Sequence, residues 1–187
     1  MINLLYVRNV QLGNIMVQKQ HNPSDIKKIK ATTASSEKQY LAIDPGKSGG
    51  IAILSEDKVE AYKCPPTFKE MAELIKKINI NQFNVFGEIM PTYVCILERV
   101  HAFPTDGRSS AFKFGTNYGA WMGILESNNI EYELVMPKKW QHDFHLSKVK
   151  KERKQELKRI AKCFYEKTTL YTADAICMAV WRRAIDH

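Results

Sequence analysis

From Tyr40 onward the chain alternates short apolar runs with turns. Leu41-Ala42-Ile43 is an apolar run that ends at Asp44, and Ile51-Ala52-Ile53-Leu54 follows the turn from Pro45 to Gly50. Both predict strands, and the turn at Glu56-Asp57-Lys58 leads into a third near Val59–Lys63. Pro65-Pro66 breaks the chain. Thr67 and Glu70 then have capping-box spacing, and Phe68, Met71, Leu74, Ile75 and Ile78 recur at helical intervals. An amphipathic helix is expected over residues 67–79. Tyr93 to Leu97 reads as a buried strand ending at Glu98. Residues 109–127 read as a helix carrying Gly115, Gly119 and Gly123, which lower helix propensity and suit a close-packed neighbour. That neighbour is either a second copy of the chain or the sheet beneath. Ile130–Met136 is a further strand, Pro137 to Trp140 a short helix, and Lys148–Tyr165 a long basic helix. Thr172 is placed to cap a last helix containing Asp174, Ile176, Met178, Val180 and Trp181. The order β-β-β-α-β-α-β-α-α-α predicts an α/β fold with a mixed sheet flanked by helices.

Residues 1–38 show no sustained period and end in a polar run from Ala31 to Gln39. A flexible basic leader over 1–38 and one domain over 39–187 is the expected organisation. The length of 187 residues and the 44 % apolar fraction fit one folded domain of roughly 150 residues plus that leader. No apolar run approaches the ~18–20 residues of a membrane-spanning helix, and no membrane partner is expected. Cys64, Cys95, Cys163 and Cys177 are scattered, which argues against a disulfide scaffold or zinc ribbon and for buried thiols in a reducing intracellular compartment.

Charge changes the picture more than composition does. Residues 39–136 carry nine basic and twelve acidic residues, whereas 137–168 carry eleven and four. A basic segment of this kind is the footprint of a polyanion binder, nucleic acid being the commonest, or else a solvated helix face with internal ion pairs around Glu152 and Glu156.

Asp44 and Glu98 each end an apolar strand, where α/β sheets bind their ligands. Asp174 lies in the first turn of an apolar helix. Each has a bland reading by itself: a turn former, a surface pair with Arg99, a helix-dipole partner. Brought together without basic partners, the three would repel, and a divalent cation would remove the repulsion. Oxygen-only ligands suit Mg²⁺, with Mn²⁺ as substitute. Two such ions about 4 Å apart would activate water against a phosphodiester. Gly46-Lys47-Ser48 resembles the tail of a P-loop, but position 41 is Leu rather than Gly and a strand follows instead of a helix. His142-x-x-His145 has ligand-like spacing without further ligands nearby, as befits a surface pair.

Ala42-Ile43-Asp44-Pro45-Gly46 before a second strand, Leu97-Glu98-Arg99-Val100, and Thr172-Ala173-Asp174-Ala175 together resemble the RuvC-type Holliday-junction resolvases. The stretch from Ala111 to Gly119 resembles the glycine-bearing helix of that family, and Phe103-Pro104-Thr105-Asp106-Gly107 is similar to a loop of its plastid branch. The resemblance spans about residues 40–185. It implies an RNase H-like fold and a homodimeric, Mg²⁺-dependent endonuclease that cuts four-way DNA junctions. Asp44, Glu98 and Asp174 match the metal-binding carboxylates. The family carries a fourth ligand three or four residues before the last, and here those positions are Tyr171 and Leu170. Lys151 is the best match by spacing for a catalytic lysine, with Lys148, Lys150 and Lys154 as rivals and as expected DNA contacts. Phe103 is placed to stack on an unpaired base, and Arg108 and Lys113 to meet phosphates. The alternatives are an RNase H-like nuclease acting on RNA or a hybrid, and a protein that binds branched DNA without cutting it.

Overall fold

A computed structural model of the chain describes residues 38–56, 58–80, 93–101, 105 and 107–186, side chains at 79 and 80 excepted. The expected leader, apart from Lys38, and Phe103 lie outside the described residues.

The elements are β1 (Gln39–Asp44), β2 (Gly50–Leu54), β3 (Val59–Lys63), α1 (Phe68–Ile80), β4 (Tyr93–Glu98), α2 (Arg108–Ser127), β5 (Tyr132–Val135), α3 (Pro137–His142), α4 (Lys150–Lys162) and α5 (Ala173–Asp186). They occur in the predicted order. The sheet runs β3-β2-β1-β4-β5. β1 to β3 form an antiparallel meander, while β4 pairs parallel with both β1 and β5. This is a mixed five-stranded sheet flanked by helices, as the order of elements predicts.

Side chains alternate across a strand, so each face has its own composition. Leu41 and Ile43 of β1, Ile51 of β2, and Cys95 and Leu97 of β4 point into one core with Met71 and Ile75 of α1 and Trp121 and Leu125 of α2. The opposite face carries Ala42, Ala52 and Ile96. Helix α5 packs there against β1, β2 and β4, with α4 on its other side. Every residue from Ala173 to Trp181 is buried, as a helix covered all round requires. The alanines on both surfaces allow the close approach. At Gly50 the approach is closer still, because a Cβ there would lie 2.4 Å from the Tyr171 carbonyl oxygen and 3.0 Å from the Thr172 Cα. The chain entering α5 therefore rests on the backbone of β2.

The capping box at α1 forms as its spacing predicts. The Glu70 N–H donates to Thr67 Oγ1 at 3.2 Å, and the Thr67 N–H to Glu70 Oε2 at 3.3 Å. Helix α4 is shorter than the basic run suggests. Ser147 takes up both acids of the helix, its hydroxyl donating to Glu152 (2.7 Å) and its N–H to Glu156 (2.8 Å), and its Oγ accepts from the Val149 N–H. Lys148 and Val149 thus belong to the lead-in. At the other end the Phe164 and Tyr165 N–H groups both return to the Ala161 carbonyl. Thr172 differs from the expected cap, since its hydroxyl accepts from the Thr169 N–H at 3.0 Å, behind the helix. Of the cysteines, Cys64, Cys95 and Cys177 are buried as expected, whereas Cys163, just past α4, is exposed.

The glycine stripe of α2 settles one of its two readings. Among the described residues a Cβ on Gly115, Gly119 or Gly123 meets nothing within 4 Å, so the sheet is not the close neighbour. The buried residues of α2 are Trp121 and Leu125, with Tyr118, Met122 and Ile124 packed against the same core.

Two alanine substitutions follow with opposite signs. Gly119→Ala, in open space within a helix, is expected to raise stability by about 0.5–1 kcal/mol. Gly50→Ala forces α5 off the sheet and is expected to lower it by about 1–3 kcal/mol. Urea unfolding of the two variants checks both, and equal midpoints would contradict the packing at Gly50.

Candidate metal centre and nucleic-acid face

The site begins with strand parity. Asp44 follows Ile43 and Glu98 follows Leu97, and those two apolar residues are register partners in the parallel β1–β4 pair. Both carboxylates therefore fall on the α5 face, at the C-terminal ends of adjacent strands. The chain lead-in seated on Gly50 brings the first turn of α5, with Asp174, to the same end. All three are buried, at 9 %, 8 % and 6 % exposure for Asp44, Glu98 and Asp174.

Burial sets their electrostatics. The Asp44 carboxyl is pushed well above the ordinary carboxylate range, first by desolvation and then by the charges of Glu98 and Asp174, with Lys154 opposing. Glu98 is raised as well, mainly by desolvation with the Asp174 charge adding. The Trp140 indole, which donates from Nε1 to Glu98 Oε1 at 3.0 Å, pulls it back. The indole fixes the glutamate, and it comes from α3, whose only buried residue is Trp140. Glu98 is thus no surface partner of the exposed Arg99.

A basic partner is present, contrary to the expectation of acids alone. Lys154 Nζ donates to Asp174 Oδ2 at 2.8 Å. Burial draws the lysine pKa down, but the Asp174 charge and hydrogen bond outweigh it, and the net shift is upward. The other oxygen, Asp174 Oδ1, is buried with no hydrogen-bond partner among the described residues.

Among the described residues no group of three or more Asp, Glu, His or Cys side chains is placed to hold a metal ion as the side chains stand. The donor chemistry nonetheless fits a hard divalent cation. Three carboxylates share one site, two of them raised in pKa first by burial, and a buried carboxylate oxygen stands without a hydrogen-bond partner among the described residues. Asp44, Glu98 and Asp174 are the residues that would hold it.

The turn after Asp44 is held from several sides. Gly46 has φ +110°, in the region open to glycine, and a Cβ there would lie 3.0 Å from the Phe114 ring. The Gly46 N–H donates to Asn117 Oδ1 at 2.8 Å, and the Cys64 thiol to the Asp44 carbonyl at 3.2 Å. Asn117 and Trp140 carry no motif signal. Their partners lie 71 and 42 residues away.

The remaining expected site residues divide by place. Lys154 alone among the expected lysines reaches the acids. Lys151, the best match by spacing, is exposed three residues earlier on α4, and Lys148 and Lys150 are exposed beside it. Arg108 and Lys113 are exposed on α2. Leu170 and Tyr171, at the positions of the absent fourth acid, are also exposed, and the Lys63 ammonium lies 4.3 Å from the centre of the Tyr171 ring.

No family model and no curated protein matches the chain. Among solved structures it is similar to the Thermus thermophilus RuvC structure, at 16 % identity over 79 % of this chain and 96 % of that one, with a TM-score of 0.48. It is also similar to T. thermophilus RuvC in complex with Holliday junction substrate, at 15 % identity over 78 % of this chain and 92 % of that one, with a TM-score of 0.49. Both are likenesses of fold.

Proposed function

We propose that this chain is a metal-dependent, structure-selective DNA endonuclease that resolves four-way junctions as a homodimer. The observation that carries the reading is the convergence of Asp44, Glu98 and Asp174, buried, at one end of an RNase H-like sheet beside a basic helix. Asp44, Glu98 and Asp174 would hold Mg²⁺, with Mn²⁺ substituting. When bound, such ions activate water and stabilise the leaving oxygen of a phosphodiester.

The chain's own groups prepare the rest. The Trp140 indole keeps Glu98 from turning away. Lys154 balances part of the acid charge and puts an ammonium at the edge of the site. Lys150 and Lys151, one helical turn earlier, extend that positive charge outward to meet phosphates. Helix α2 offers Phe112, 77 % exposed, beside the open glycine stripe, a face suited to a second copy. A two-fold pair of sites matches the approximate two-fold symmetry of a junction.

One observation favours a second reading. With Leu170 and Tyr171 in place of a fourth acid, the site has fewer anionic ligands, which fits a protein that binds branched DNA without cutting it. Mg²⁺-dependent nicking of a labelled mobile four-way junction separates the two. Wild type is expected to cut and Asp44→Asn to fall to background. Binding without nicking in either metal supports the second reading. Preference for an RNA duplex or hybrid would move the substrate to RNA.

Metal should also be visible in stability. A carboxyl with a raised folded pKa contributes stability at low pH that is lost as pH rises through that value. Metal-free protein therefore carries its repulsion near neutrality, where a cation offsets it. Mn²⁺ at a hundredfold excess over Kd is expected to add about 2.7 kcal/mol. The rise in Tm should be larger at about pH 8 than at about pH 5.5, where protons compete. Asp44→Asn should abolish it while leaving the metal-free protein at least as stable as wild type. Lys154→Met is expected to lower metal-free stability by about 1 kcal/mol, the lysine side chain being 38 % exposed and partly screened. Calorimetric scans with and without metal check all four.

A further inference from the structure

Asp44 is the last residue of β1, so the direction of its carboxylate depends on the backbone that leaves the strand. Pro45 and Gly46 form that exit. The Gly49 N–H closes the turn onto the Gly46 carbonyl at 3.0 Å, a bond internal to the turn. The Gly46 N–H faces the other way, onto Asn117 Oδ1 at 2.8 Å. Phe114, one turn before Asn117 on α2, lies against the Gly46 Cα side, where a Cβ would come within 3.0 Å of the ring. The Asn117 amide is itself oriented, its Nδ2 lying 3.9 Å from Met71 Sδ of the core. Asparagine is a poor interior helix residue, because its side chain competes for backbone hydrogen bonds. At position 117 the side chain instead supplies an acceptor to a backbone amide that would otherwise lose its partner.

We propose that Asn117 is a positioning residue for the divalent cation, acting through the Gly46 amide to aim the Asp44 carboxylate. The inference rests on Asp44 being a metal ligand. Groups that orient metal ligands from behind change affinity by about 10–100-fold when removed. Asn117→Ala removes the acceptor and leaves a better helix former, so the helix itself is not weakened. Asn117→Asp keeps an oxygen in the same place.

The test is calorimetric titration of the full metal-free chain with Mn²⁺ alone, each variant first shown to be folded at the titration temperature. Asn117→Ala is expected to bind about 10–100-fold more weakly than wild type, and Asn117→Asp at least as tightly as wild type. Wild-type affinity in Asn117→Ala, or equal loss in both variants, overturns the proposal. Hydrogen exchange of the Gly46 amide in wild type tests the bond without any substitution. Protection is expected, and exchange at the rate of an open amide overturns it. Asp44→Asn separates the two levels. If it loses Mn²⁺ while Asn117→Ala does not, this inference fails and the metal site stands. If Asp44→Asn binds as wild type, the metal site itself fails and the inference with it.

Discussion

Two carboxylates side by side on the covered face of a sheet are the constraint around which the molecule is built. The parallel pairing of β1 and β4, in the register that sets Ile43 against Leu97, leaves Asp44 and Glu98 no way to avoid each other. Parity then turns both toward α5, away from the core under α1 and α2. Ordinary packing would replace one of them with an apolar residue. Their retention has an energetic cost, seen in the raised pKa values of both groups. The dense apolar core on the opposite face, with Leu41, Ile43, Leu97 and Trp121 all fully buried, holds the strands in a register that the acids alone would oppose.

What was legible in the sequence was local or periodic. The capping box at Thr67 and Glu70, the strands that end at Asp44 and Glu98, and the order of elements all depend on residues within a few positions of one another. The three carboxylates could be named together because each ends or begins an element on a sheet whose topology follows from that order. Tertiary partners were not legible. Asn117 reads as an unremarkable polar residue in a helix until Gly46 is beside it. Lys154 and Lys151 differ by three positions on one basic helix, and only the rotation of α4 against α5 decides which one meets Asp174. The glycines of α2 announced a small face but not its neighbour, which is open space among the described residues. Glu152 and Glu156 looked like partners for the lysines around them, yet both turn back to Ser147, leaving the basic face of α4 less compensated than its composition suggests.

That loss of compensation bears on the charge of the site. Three carboxylates meet one ammonium, and a fourth acid at Leu170 or Tyr171 would have deepened the imbalance. Its absence makes the site less repulsive and more dependent on each remaining carboxylate. Lys154 bonds Asp174 Oδ2, and among the described residues Asp174 Oδ1 stays buried without a hydrogen-bond partner. A buried oxygen of that kind is costly unless something fills the place beside it. Lysine alone does not satisfy this set of oxygens.

Helix α2 connects the site to the outside of the molecule. One side packs Trp121 and Leu125 into the core, and Asn117 and Phe114 press on the turn behind Asp44. The glycine stripe lies open among the described residues, with the exposed Phe112 on the same face. A second copy docked there would meet Phe112 and, at the glycines, the helix backbone. Any shift or tilt of α2 on docking would be carried, through a rigid helix, to the amide contact at Gly46. In a homodimer the geometry at Asp44 and the fit between protomers would then share one structural element, and assembly would bias how well each site is formed.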